Sequence, residues 1–179
     1  MSKVLIISTS LRADSNSEYL ARQCERGARD AGNDVEFISL KGKKINFCIG
    51  CLACQESGVC VIKDDAAEIA DKVKNADTLV FATPIYYYEM SGQMKTLIDR
   101  LNPLYVSDYK FTNIYMIATA ADEGAYVFEK AYAGLSGFSE CFEKSAMCGI
   151  ATGGGLQGAG EAKDYEDAAR LAYELGQSL

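Results

Sequence analysis

Histidine is absent from the 179 residues, which removes the commonest general base and the commonest zinc ligand. Any chemistry must rest on cysteines, carboxylates, tyrosines or a bound cofactor. No apolar run approaches the ~18 residues of a membrane span, so no membrane is expected as a partner. Basic runs are missing too: the net charge is −7, a balance that repels nucleic acid. The apolar run in "MSKVLIIS" is too short for a secretory signal, and the seven cysteines are odd in number. A reducing, cytoplasmic setting is therefore expected, without a disulfide framework. The lysine-bearing phosphate loop GxxxxGKS/T does not occur. Prolines number only two, so each one present is a strong boundary signal.

What is present is a globular composition. With 49% apolar and 24% charged residues, a chain of this length buries a full core as one domain, residues 1–179. "KVLIIS" (3–8), "TLVFAT" (78–83), "NIYMIATA" (113–120) and "AMCGIAT" (146–152) are short apolar runs of the buried-strand type. "DVEFISL" (34–40) alternates like a further strand. A helix is predicted from Ser17 to Gly32 on Leu20, Cys24 and Ala28. Asp65, spaced from Glu68 as in a capping box, opens a second on Ala66, Ile69, Ala70 and Val73. Ser91 caps a third on Met94, Leu97, Ile98 and Leu101, and two more are predicted over 125–144 and 164–177. Pro84 is expected to stop the third strand and Pro103 the third helix. Strands alternating with helices in this way specify a doubly wound five-stranded parallel α/β sheet with helices on both faces, because each parallel crossover lays a helix on the sheet.

Ligands in such sheets bind at the carboxyl ends of the strands, near the reversal of strand order. The loop after the first strand, "STSLRADSNS" (8–17), sets hydroxyls, Arg12 and Asn16 before a helix start, which suits a phosphate. An ordinary N-cap at Ser15 to Ser17 reads the same residues. "TPIYYYEMSGQ" (83–93) offers three consecutive tyrosines, either to hold a flat aromatic ligand or to pack at a subunit contact. "ATAADEG" (118–124) is small, as close approach to a ring requires. "GGGLQGAG" (153–160) contains GxGxxG, yet no strand follows to supply a ribose-binding acid, so it reads as a glycine loop bordering the ligand or a neighbouring subunit. A phospho-receiver domain would need paired acids where Ser8, Thr9 and Ser10 stand.

"CIGCLACQESGVC" (48–60) gathers four more candidates, Cys48, Cys51, Cys54 and Cys60. Thiolates at such spacing suit an iron-sulfur cluster or zinc, while small thiols packing a loop is the plainer alternative. Zinc is the less apt metal, since a chain with a core of buried strands does not need it to fold.

These loops resemble one family. "STSLRADSNS" is similar to the phosphate loop of the flavodoxin-like NAD(P)H-dependent FMN reductases, "TPIYYYEMSGQMKTLIDR" resembles their flavin-contacting strand-turn-helix, and the likeness runs to the terminal "AYELG". The resemblance implies a flavodoxin-like sheet of order 2-1-3-4-5, FMN as cofactor and NAD(P)H as co-substrate. Electrons would pass to a small acceptor such as a quinone, flavin or azo compound. By position, the phosphate would rest on Ser10, Arg12, Ser15, Asn16 and Ser17. Pro84, Ile85, Tyr86 and Tyr87 would line one side of the isoalloxazine, with Thr119, Ala120 and Ala121 on the other. Thr9 stands where the family often has glycine. No nicotinamide motif is present, so donor and acceptor are expected to take turns, and no side chain is singled out as catalytic. The tyrosine run points to a homodimer or homotetramer. A flavin electron carrier without nicotinamide chemistry is the competing function. Cys48, Cys51, Cys54 and Cys60 match the spacing of the iron-sulfur flavoproteins, relatives that add a [4Fe-4S] cluster to this fold. Plain FMN reductases carry a similar loop without a cluster and resemble "TPIYYYEMSGQMK" more closely, so a metal-free loop is the expectation and the cluster the alternative.

Overall fold

A computed structural model describes the whole chain, Met1–Leu179. β1 (Lys3–Ser8) pairs in parallel with β2 (Asp34–Ser39) after the crossover of α1 (Asn16–Asp30). A short α2 (Ala53–Ser57) lies within the cysteine segment, and α3 (Ala66–Asn75) leads into β3 (Thr78–Tyr86). β4 (Glu89–Met90) folds back antiparallel on β3 and is followed by α4 (Gly92–Asp99). β5 (Asn113–Thr119), α5 (Glu129–Glu140), β6 (Ala146–Gly153) and α6 (Glu166–Gln177) complete the chain. The sheet order is β2-β1-β3-β5-β6, with β4 attached to β3 alone, so the five long strands have the expected 2-1-3-4-5 arrangement. No helix is long and apolar enough to cross a membrane.

Strand alternation explains the two cores. Leu5, Ile7, Leu79 and Phe81 face one layer, shared with Ile69 of α3, Leu97 of α4 and Leu135 of α5, while Val4, Ile6 and Val80 face the other with Leu20 of α1 and Ala172 of α6. α1 and α6 touch backbone to backbone. A Cβ on Gly176 would stand 2.1 Å from the Cys24 carbonyl oxygen, and one on Gly27 2.1 Å from that of Tyr173. Gly176→Ala is therefore expected to push α6 away from α1 and cost about 1–3 kcal/mol, read as a lower melting temperature. An unchanged melt would contradict the contact.

Three local readings are corrected. Asp65 makes no capping box: its carboxylate accepts from Lys44 N–H at 2.6 Å, and Asp64 instead takes the Ala66 N–H at 3.1 Å. Pro84 does not stop β3, since it occupies the last rung of the β3-β5 ladder, opposite Thr119, where its missing N–H is tolerated. α4 ends at Asp99, and Pro103 falls inside a 3-10 segment, Asn102–Val106.

Candidate active site

The carboxyl ends of β1, β3, β5 and β6 surround a cavity of about 280 Å³. Ser10, Arg12 and Ser15 reach it from the loop after β1 and Asn16 from the start of α1, Pro84, Ile85 and Tyr86 from the end of β3, and Thr119, Ala120 and Ala121 from the end of β5. Leu156 and Gln157 close it from the segment after β6. Of the residues designated from sequence, only Ser17 and Tyr87 fail to line it. Ser17 is buried in the first turn of α1, with its Oγ 3.2 Å from that of Ser15, and Tyr87 stands 97% exposed in the turn between β3 and β4. Leu156 and Gln157 were missed, although the glycine loop that carries them was the signal.

Hydrogen bonds fix this geometry. Ser15 Oγ accepts from Glu18 N–H at 3.2 Å, so the N-cap and a candidate ligand hydroxyl are one residue. Asn16 Nδ2 donates to the Gly158 carbonyl at 2.8 Å and its Oδ1 accepts from Ala162 N–H at 3.0 Å, which ties the first loop to the last. Arg12 Nη1 donates to the Gln157 carbonyl at 3.0 Å, leaving further guanidinium donors for a ligand. Thr9, fully buried, uses its hydroxyl on the Ala82 carbonyl at 2.9 Å and lies 3.1 Å from Ser91 Oγ. A glycine there would lose both contacts between the first and third loops.

The tyrosine run forms a hairpin. Tyr87 and Tyr88 both take left-handed backbone angles, with φ of 52° and 67°, in the two-residue connection that normally favours Asn-Gly. Only Tyr86 of the three lines the cavity. Tyr88 lies 6.1 Å from the Tyr126 ring, whose hydroxyl donates to Asp122 at 2.6 Å; that bond raises the phenol's pKa.

The donor set matches a phosphate-bearing flat cofactor. Two serine hydroxyls and a guanidinium meet at the start of a 15-residue helix, whose terminus favours an anion. Beyond them, Pro84, Ala120 and Ala121 offer a low surface that a ring could approach closely.

The four cysteines form a separate place. Leu52 and Gly50 turn the chain through left-handed conformations at φ 58° and 65°, Gly58 does so at 73°, and Cys48, Cys51, Cys54 and Cys60 all line one small recess under the end of α4. Burial raises the Cys54 thiol's pKa, and neighbouring Cys60, Cys48 and Cys51 raise it further. No three of the cysteines and carboxylates converge tightly enough to hold a single metal ion. Arg100 walls this recess and pairs with Asp64 through two bonds of 2.7 and 2.9 Å, their side chains 0% and 3% exposed. Burial alone would raise the Asp64 carboxyl, but Arg100, two Asn46 donors and the Ala66 N–H hold it well below the usual carboxylate range.

An iron-sulfur flavoprotein of Methanocaldococcus jannaschii is 43% identical over 102 residues, 57% of this chain and 53% of that protein. The chain thus spans about half the length of these curated relatives. A putative NAD(P)H-dependent FMN-containing oxidoreductase of Bacillus subtilis is 29% identical over 128 residues, 67% of each chain. The NAD(P)H:quinone oxidoreductase structure from Methanothermobacter marburgensis superposes with a TM-score of 0.78 at 17% identity, covering 99% of this chain and 95% of that one, a likeness of fold. The profile of the NADPH-dependent FMN reductases matches residues 2–166, and the chain belongs to that family.

Proposed function

We propose that the protein is an FMN-dependent NAD(P)H oxidoreductase that passes electrons from a nicotinamide to a small acceptor, a quinone, flavin or azo compound. The observation that carries this reading is the convergence of Ser10, Arg12 and Ser15 with Pro84, Tyr86 and Ala120 on one cavity where the strand order reverses. FMN bound there would supply the electron chemistry itself, so the absence of histidine is no obstacle to it. The chain's own part is to bind, orient and exclude water. Arg12 and the serines hold the phosphate against the start of α1, opposing the general repulsion of a −7 protein. Pro84, Ile85 and Tyr86 on one side of the cavity and Thr119, Ala120 and Ala121 on the other would hold the ring, with donor and acceptor taking turns over it.

The test is a visible spectrum of protein purified without oxygen, followed by NADH and NADPH oxidation with a quinone, free flavin and an azo dye. Flavin bands and turnover are expected. Flavin without turnover of either nicotinamide leaves pure electron carriage, and no flavin removes the reading.

The protein is further proposed to act as a homodimer or homotetramer in the reducing cytoplasm. The wholly exposed Tyr87, held in a strained turn beside the cavity, supports a partner surface. Sedimentation as a monomer at micromolar concentration would remove that assembly.

A second reading is favoured by the recess that Cys48, Cys51, Cys54 and Cys60 line together. Four soft thiolates lining one recess are the ligand chemistry of an iron-sulfur cluster, while no three of them converge on a single metal ion. The donor set fits a four-iron, four-sulfur cluster, which would make the protein a two-cofactor electron carrier. A metal-free thiol loop is the result to set against it.

A further inference from the structure

Arg100 follows the last turn of α4 and is the bulkiest of the fully buried side chains. Its partners divide into two groups. Asp64 and the carbonyls of Asn46 and Ile62 occupy one, at 2.7 to 3.2 Å. Sulfur is the other: Nη2 reaches Cys60 Sγ at 3.4 Å. Asn102, two residues on, directs Nδ2 at Cys48 Sγ from 3.7 Å, and Gly50 N–H lies 3.5 Å from the same sulfur. A role in stability accounts for the bonds to Asp64 but not for donors placed against two of the four cysteines. Arg100 Nε, moreover, is buried without any hydrogen-bond partner, and folded proteins leave few such donors unsatisfied. The same residue walls the thiol-lined recess, so its guanidinium lies beside whatever is seated there.

We propose that Arg100 is the positioning residue of the four-cysteine site, holding Cys60 directly while Asn102 holds Cys48, and that the N–H donors and buried positive charge of Arg100 raise the reduction potential of an iron-sulfur group bound there. The proposal rests on the cluster reading above. Iron-bound sulfurs become more negative when the group takes up an electron, so hydrogen bonds and a cation beside them stabilise the reduced state. Asp64 offsets the guanidinium's charge, but Nη2 bonds both Asp64 and Cys60, so the donor end of the pair faces the sulfur. Removal of the donors should therefore make the group harder to reduce.

The experiment compares the wild type with Arg100→Lys, Asn102→Leu and the paired variant Arg100→Met with Asp64→Leu, all made and purified without oxygen. Lysine keeps a charge opposite Asp64 but cannot span Asp64 and Cys60 together, whereas the paired variant removes both charges and so avoids a lone buried ion. Iron and acid-labile sulfide are counted, flavin content reports an intact fold, and the iron-sulfur signal is titrated with dithionite. That titration adds one electron per group from the dithionite, with no bond made or broken. About four iron and four sulfide per wild-type chain are expected. Arg100→Lys and the paired variant should show a more negative midpoint potential and faster loss of iron in air, with Asn102→Leu shifted the same way by less. Iron in the wild type with unchanged potentials in the variants overturns the role of Arg100 alone. A wild type that holds no iron overturns the cluster reading, and the proposal with it.

Discussion

Asp64→Asn is expected to lower the stability of the protein by about 3–5 kcal/mol, because it leaves the Arg100 guanidinium charged, buried and without its counter-ion. For a chain of this size the loss corresponds to a melting temperature lower by on the order of 10 °C. Exposed pairs behave differently: Arg170 with Glu174, each about half exposed, forms a screened i,i+4 contact whose removal should barely move the melt. Acid adds a second signature. The folded Asp64 carboxyl titrates below its unfolded value of ~3.9, so the pair's contribution is complete above that pH and is lost as pH falls through the folded pKa. Wild type and Asp64→Asn should thus differ most near neutrality and draw together in strong acid. Parallel melting curves across that range would show that some other contact carries the difference.

That ion pair also marks where sequence reading stops. β1 was legible because "KVLIIS" is apolar on both faces, as a strand covered by two helix layers must be, and the boundaries 3–8 are those observed. The first loop was legible for a local reason as well: hydroxyls, Arg12 and a helix start lie within ten residues. Periodicity reports only neighbours along the chain. Nothing in it links Asp64 to Arg100, 36 residues away, so the Asp65 to Glu68 spacing read as a capping box while the neighbouring acid was committed to a buried guanidinium. Leu156 and Gln157 join the cavity through another distant tie, the bonds from Asn16 and Arg12 across about 140 residues. The hairpin at Tyr87 and Tyr88 was hidden for the opposite reason. Its turn uses left-handed angles that tyrosine rarely adopts, so the residue types pointed away from the structure they form.

Arg12→Ala should weaken FMN binding by roughly ten- to a hundredfold, the size of one charge-assisted hydrogen-bonding partner at about 1.5–3 kcal/mol. Arg12 is the one basic side chain lining the cavity, and its Nη1 is steered over it by the Gln157 carbonyl at 3.0 Å. Arg12→Lys should recover only part of the loss, since a single ammonium cannot hold that carbonyl and offer a fork to a phosphate. Ser15→Ala separates the two uses of its hydroxyl: loss of the bond from Glu18 N–H should lower apo stability by about 1 kcal/mol, while loss of a phosphate donor should weaken FMN further. Added salt discriminates between local and general charge. Repulsion from the overall −7 is spread over distances beyond the ~8 Å screening length and fades first, whereas contact with Arg12 persists. The gap in affinity between wild type and Arg12→Ala should therefore survive 0.15 M salt, about physiological strength. Flavin fluorescence titration of the apo proteins reads all of these. Equal affinities for wild type, Arg12→Ala and Ser15→Ala would place the phosphate elsewhere on the carboxyl edge of the sheet.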